Sequence, residues 1–224
     1  MFASALISYY LFPKNEYLSV GIRYIISLIL VMLMNKYWLK QKIEIGFHNI
    51  PFYKQISSYL IILFLLIVNF YGFRLSDLSQ PLADSICFSI GPGIFEEYVF
   101  RGVIFKAFLN KFKKNYKGIL ISILFSSFLF GLIHSLNIIN SQNISSTSFQ
   151  ALNALIFGIV MSTVYLRTRN IIFPILSHII YDFLAGVTYT TIDSNSTGVI
   201  VFYIFLIIFA AFMIRPKVIK SYLT

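Results

Sequence analysis

The chain reads as a succession of apolar runs separated by short polar loops. Each run is roughly 17–25 residues long, enough to cross a hydrocarbon core of about 30 Å as a helix. The pattern predicts spans at Tyr17–Met34, Ser57–Phe73, Asp84–Leu109, Gly118–Ile139, Phe149–Leu166, Ile171–Thr190 and Gly198–Ile214. Residues 1–12 are apolar but short, and suit an eighth span, a half-span or an interfacial helix. Period-two alternation of polar and apolar residues is missing, so a membrane barrel is not indicated. Backbone groups in lipid must then be satisfied within helices. The expectation is an all-α, polytopic transmembrane bundle of about seven to eight helices. The "GPG" at Gly91–Gly93 is expected to break or start a helix just before a pair of glutamates. No internal repeat, low-complexity tract or linker stands out.

The loops set an orientation. Lys36, Lys40, Lys42 and Lys54 precede the second span, and Lys111, Lys113, Lys114 and Lys117 follow the third. Arg167 and Arg169 follow the fifth, and Arg215, Lys217 and Lys220 close the chain. The intervening loops, "RLSDLSQPLA", "NSQNISSTS" and "TIDSNSTG", are nearly free of basic residues. By the positive-inside rule the basic loops and the C-terminus are cytoplasmic.

Composition agrees with a membrane protein. The chain is 58% hydrophobic and only 12% charged, against about 25% charged in an ordinary soluble domain. Its net charge of +10 is accounted for by the cytoplasmic loops, and no basic face interleaved with aromatics suggests nucleic acid. The single Cys87 cannot form an intrachain disulfide. The N-terminal "MFASALISYYLFPKNEY" lacks a basic n-region and a small-residue cleavage site, so it is not read as a removable signal peptide.

Ionisable groups inside the apolar runs carry the chemistry. A charge at mid-membrane costs about 2.5–3.5 kcal/mol on insertion scales, so such groups usually face a cavity and serve a function. The candidates are Glu96, Glu97 and Arg101 in one run, His134 in the next, and His178 with Asp182 in a later one. Arg23 lies in the first run, where it can snorkel. Glu97 and Arg101 are four apart and share a face of an α-helix, so they can neutralise each other. Glu96 is turned about 100° away and must find its partner on another helix, the two histidines being the obvious ones. His178 and Asp182 are again four apart. His48 falls in a basic loop and is read as solvated. A free glutamate with two buried histidines can activate water, the glutamate taking the proton and a histidine orienting the attacking oxygen. A second histidine can donate to a developing oxyanion. Two His and a Glu also resemble a zinc set, although no H-E-x-x-H is present and spacing alone decides neither way. Structural readings stand beside these: the Glu-Glu-Arg cluster and the His178/Asp182 pair could each serve packing alone.

The same residues resemble a known family. "EEYVFR" (Glu96–Arg101), "FGLIH" (Phe130–His134) and "HIIYD" (His178–Asp182) are similar, in order and spacing, to the EExxxR, FxxxH and HxxxN/D motifs of the CPBP family. These are the CAAX-protease and bacteriocin-processing membrane proteins, also called Abi. The resemblance implies an intramembrane endopeptidase similar to the type II CAAX prenyl protease. It implies that Glu96 and His134 activate water, that His178 and Asp182 attend the oxyanion, and that Glu97 and Arg101 support them. An ionised Asp182 cannot itself donate to an oxyanion, so its expected part is to orient His178. On this reading residues 1–83 are motif-free membrane helices, 84–190 the catalytic core, and 191–224 a last helix with a basic cytoplasmic tail, all one integral membrane domain.

The expected function is hydrolysis of a membrane-associated peptide or protein precursor in a bacterial plasma membrane. No cofactor is expected, with zinc possible but not favoured. The partners are a peptide or membrane-protein substrate and the bilayer. One alternative is a bacteriocin self-immunity or scaffold protein that needs no proteolysis; another is a proton-coupled transporter, since intramembrane Glu and His also form relays. The charge pattern makes its own prediction. In a bacterial host, green fluorescent protein fused after Thr224 is expected to fluoresce while alkaline phosphatase at the same point stays inactive. Fusions within 141–148 should behave the opposite way, and a C-terminal phosphatase that is active would overturn the assigned orientation.

Overall fold

A computed structural model describes residues 16–46, 59–60, 63–64, 82–112, 115–140, 143–187 and 197–216. The apolar N-terminal residues 1–12, most of the expected span Ser57–Phe73, His48, Lys54 and the tail lysines Lys217 and Lys220 lie outside the described residues. Among the described residues all regular structure is helical and no strand occurs. Helix α1 (Glu16–Met34) runs into a π-helical turn, Asn35–Leu39. Helix α2 (Leu82–Glu97) continues through a π-helix, Tyr98–Phe105, into α3 (Lys106–Phe112). Helix α4 (Tyr116–His134) ends in a 3-10 segment, Ser135–Asn140. Helices α5 (Ile144–Thr168), α6 (Ile172–Val187) and α7 (Thr197–Met213) follow.

Three stretches are long and apolar enough to cross a membrane: Ser19–Leu39, Tyr116–Ile139 and Ile144–Thr168. Ile172–Gly186 and Ile200–Met213 are apolar but shorter. The described residues thus form six uninterrupted helical stretches, and the expected count of seven to eight spans is not established by them. The expected break at Gly91–Gly93 does not occur: Pro92 lies inside α2, and regular α-geometry gives way only after Glu97. Proline is tolerated in membrane helices because neighbouring groups and local π adjustments re-satisfy the backbone it frees. The flanking glycines are packing positions. A Cβ on Gly93 would lie 2.6 Å from Ile179 Cγ1 and 3.1 Å from Ile179 N, so only glycine lets the backbones of α2 and α6 approach this closely.

The chain forms two compact units, Met1–Val99 with Asn170–Thr191, and Phe100–Arg169 with Ile192–Thr224. In the first, α1, α2 and α6 pack together. The loop after α1 is tied to the start of α6, where Ile171 N donates to Glu44 O (3.0 Å) and Gly46 N to Asn170 Oδ1 (3.2 Å). The π-turn closes on Lys40, in the left-handed region at φ 52°, and α5 closes likewise on Arg169 at φ 49°. Basic residues at these C-termini suit the negative end of the helix dipole.

In the second unit α5 is the central helix, 61% of its span window being buried against 39% in α4. Asn115 and Asn143 cap α4 and α5 by accepting from Gly118 N (2.8 Å) and Ser146 N (2.7 Å). Buried Ser122 and Ser127 return their hydroxyls to the carbonyls of Gly118 and Ile123 four residues back (2.8 and 2.7 Å). Such internal bonds satisfy small polar residues where water is missing. Helix α7 buries Tyr203, Leu206, Ala210 and Met213 on one side, and Tyr203 donates to Asn153 Oδ1 (3.2 Å). Its other side, with Val201, Ile208 and Phe212 each at least half exposed, is a lipid-facing surface. Replacing Gly93 by Val is expected to destabilise the first unit by about 1–3 kcal/mol through overpacking, read as a lower melting temperature in detergent. An unchanged melting temperature would mean that α2 and α6 can separate at Gly93 without cost.

Candidate active site

Glu96 and Glu97 close the last turn of α2, where the α-helix turns into the π-helix Tyr98–Phe105. A π-helix bonds i to i+5, is rare, and occurs frequently at functional sites. The four-residue spacing from Glu97 to Arg101 crosses this junction. A partner of Glu97 comes from the far end of the sequence. His178 Nδ1 lies 2.8 Å from Glu97 Oε1. Both side chains are buried, Glu97 completely.

The opposite ring nitrogen faces two more carboxyl groups. His178 Nε2 is 3.4 Å from Asp182 Oδ2, one turn along α6, and 3.9 Å from Glu96 Oε2. Thus Glu96, Glu97, His178 and Asp182 come together within the first unit. Their accessibilities separate their parts. The Glu97 side chain is 0% exposed, that of Glu96 19% and that of Asp182 30%. Glu97 can hold the ring but cannot meet a substrate, whereas Glu96 and Asp182 can.

The tautomer follows from chemistry. A carboxylate oxygen only accepts, so Nδ1 carries a hydrogen and donates to Glu97. Nε2 is then the nitrogen presented to Glu96, Asp182 and whatever lies between them. With Nδ1 occupied, ring orientation is fixed by a fully buried bond, the arrangement by which a carboxylate prepares a working imidazole.

Arg101 and His134 belong to the second unit. Arg101 is buried, with its guanidinium 4.4 Å from the centre of the Phe130 ring, a cation–π contact. Phe130 also packs edge-on against Phe100 and against His134, at 4.8 and 4.7 Å between ring centres. The phenylalanine of "FGLIH" therefore positions both an arginine and a histidine. Ser126 Oγ donates to Phe100 O (3.0 Å), meeting a carbonyl of the π-helix. His134 is half-buried at the end of α4, and its Nδ1 lies 2.8 Å from Phe130 O. A nitrogen facing a carbonyl must carry the proton, which leaves Nε2 of a neutral His134 as an acceptor.

Residues 78–184 match the family model described as type II CAAX prenyl endopeptidase Rce1-like. The chain carries a domain of that CPBP family. All six expected site residues fall inside the matched segment, which covers just under half of the sequence. No curated protein and no solved structure gives a significant match to the chain. With apolar helices and this family, the chain is an integral membrane protein with a protease domain. Among the described residues no group of three His, Cys, Asp or Glu side chains is disposed to hold a metal ion.

The sequence reading passed over one side chain that reaches this neighbourhood. Tyr24, in the motif-free α1, packs its ring on Phe95, the residue before Glu96, at 5.9 Å between centres. Its only mark in the sequence is that Arg23 and Tyr24 interrupt an otherwise apolar run. The buried bond yields a stability prediction. Glu97→Ala leaves His178 Nδ1 without its acceptor and is expected to cost about 1.5–3 kcal/mol, seen as a lower melting temperature in detergent. Glu97→Gln keeps an amide oxygen to accept and should lose less. Equal losses from the two variants would show that charge, and not acceptance, is what His178 requires.

Proposed function

We propose that the chain is an intramembrane endopeptidase that hydrolyses a peptide bond of a membrane-associated precursor with a water activated by Glu96. The observation that carries this reading is the asymmetric clasp on His178. One carboxylate, Glu97, is buried and spent on orientation, while a second, Glu96, stands beside the same imidazole and remains accessible. Glu96 takes a proton from water as the oxygen attacks the carbonyl carbon. The motif resemblance gives His134, whose Nε2 is an acceptor, the part of orienting the water. His178, held as an imidazolium among the three carboxyl groups and steered by Asp182, donates from Nε2 to the oxyanion. Collapse of the tetrahedral species breaks the C–N bond, and the proton held by Glu96 passes to the departing amine. Arg101 supports the helix that carries the glutamates.

No metal takes part in this scheme. The membrane setting excludes bulk water while the accessible face of Glu96 retains the reacting one. On this reading the chain sits in a bacterial plasma membrane with a cytoplasmic C-terminus, which the apolar runs and basic loops support. Its substrate class there is a bacteriocin-like or signalling peptide precursor, or a segment of a membrane protein.

The test is purified protein in vesicles, assayed against a panel of membrane-active precursor peptides. Glu96→Gln is expected to lower the cleavage rate by about 10²–10⁴-fold, the range for a general base, with the melting temperature unchanged. A chelator should leave the wild-type rate as it was; loss of cleavage on chelation would replace this scheme with a metal-dependent one. A Glu96→Gln protein that keeps its cellular phenotype would favour the immunity or scaffold role, in which proteolysis is not required.

A further inference from the structure

Among the described residues, the side chains clustered in the first unit are mostly acceptors. Three carboxyl groups surround one imidazole, whose Nδ1 is already bound to Glu97. Peptide hydrolysis needs the reverse at one atom. As water attacks, the carbonyl oxygen takes up a full negative charge, and donors must be aimed at it. Ionised Asp182 cannot donate. His178 offers a single N–H, and that nitrogen also faces Asp182 and Glu96. Another donor is required, and it should be neutral enough to sit among carboxylates.

Helix α1 brings one. Tyr24 lies in the same compact unit as the four site residues. Its ring lies over Gly91 so closely that a Cβ there would be 2.7 Å from Tyr24 Cδ2 and 3.0 Å from Tyr24 Cγ. One turn further along α2 the ring meets Phe95, at 5.9 Å and tilted by 57°. Gly91 and Phe95 share one face of α2, and Phe95 is the residue next to Glu96, so α1 lays the ring against the turn that carries the glutamates. The phenol interacts electrostatically with Glu96 and with Asp182, and the Arg23 guanidinium lies 5.8 Å from the ring centre. The same two helices line an apolar cavity of about 260 Å³, whose wall includes Tyr24, Gly91, Ile94 and Phe95. That is room for an apolar substrate side chain against the Tyr24 ring.

We propose that Tyr24 is a catalytic residue whose hydroxyl, carried to the site by α1, donates a hydrogen bond to the carbonyl oxygen of the scissile peptide. The inference rests on the hydrolytic reading of the site given above. Tyr24 keeps its proton throughout. The new bond is water oxygen to carbonyl carbon, the carbonyl electron pair moves to oxygen and is stabilised there, and the water proton goes to Glu96 and then to the amine. The motif-free α1 is thereby part of the active site and not only a membrane anchor.

The experiment compares wild type, Tyr24→Phe and Glu96→Gln in vesicles, using internally quenched apolar peptides and, as an inhibitor, a phosphinic peptide whose anionic oxygen stands where the oxyanion would be. Phenylalanine keeps the ring on Gly91 and Phe95 and removes only the hydroxyl. The expected result is a kcat reduced about 10²–10³-fold, the range for loss of one oxyanion donor. KM and melting temperature should be unchanged, and phosphinic-peptide affinity should fall alongside kcat. Tyr24→Phe cleaving at the wild-type rate, with Glu96→Gln inactive, would overturn this assignment and leave the hydrolytic reading intact. A fall in melting temperature and KM effects without weaker phosphinic binding would make Tyr24 structural and likewise overturn it. Failure of the wild type to cleave any peptide would overturn both.

Discussion

A carboxylate inside a bilayer has to be given a partner, and the bond between Glu97 and His178 is how this chain meets that demand. It joins residues 81 positions apart in sequence, one at the end of α2 and one in the middle of α6. Removing one partner of a buried polar pair leaves the other desolvated and unsatisfied, which costs more than the pair itself contributes. The two helices are therefore bound to one register. Gly93 makes the approach possible by leaving no side chain between α2 and Ile179. The loop bonds at Glu44, Gly46 and Asn170 fix where α6 begins. Once the ring of His178 is set by its buried side, the positions of Glu96 and Asp182 at its other nitrogen follow from helix geometry alone.

The change from α- to π-helix immediately after Glu97 works in the same direction. A wider turn shifts every following side chain around the axis relative to an α-helix. Two successive glutamates can then take different surroundings, one sealed in protein and one open. The π-helix also asks for support from outside itself. Within the second unit Ser126 supplies a hydroxyl to Phe100 O, and Phe130 packs on both Phe100 and Arg101. Within the first, Asn35 donates to Tyr98 OH at 3.5 Å and closes its own π-turn by bonding Gln41 on both backbone atoms. Two unusual helical segments thus meet through a single amide.

Hydropathy made the long membrane helices legible, because a run such as Tyr116–Ile139 admits no other backbone solution in lipid. Of the six residues the three motifs single out, four gather as a cluster in the first unit. Two things were not legible. Pro92 reads as a breaker by the rules of soluble helices, yet α2 runs through it, because membrane helices re-satisfy the freed carbonyl locally. The bond from Glu97 to His178 was the other, because no local pattern announces either a π-helix or a histidine 81 residues away. Long-range partners are settled by packing, and packing here turns on a glycine whose role is to be small.

The same consideration bears on the aspartate at the end of "HIIYD". An asparagine there could turn its amide N–H toward a developing oxyanion, and an aspartate cannot. Placing a third carboxyl group beside one imidazole makes sense only if the donor function is carried elsewhere and the aspartate is used for orientation. His178 is the only one of the four clustered side chains with hydrogens to give, and one of its two nitrogens is committed to Glu97. A site with that balance stabilises positive charge and protonated groups readily, and a negative oxygen poorly. For such a cluster to turn over amides, donors must be brought in from a helix outside the motifs. Tyr24, whose ring packs on Phe95 from the neighbouring helix, is the residue to which that part is assigned.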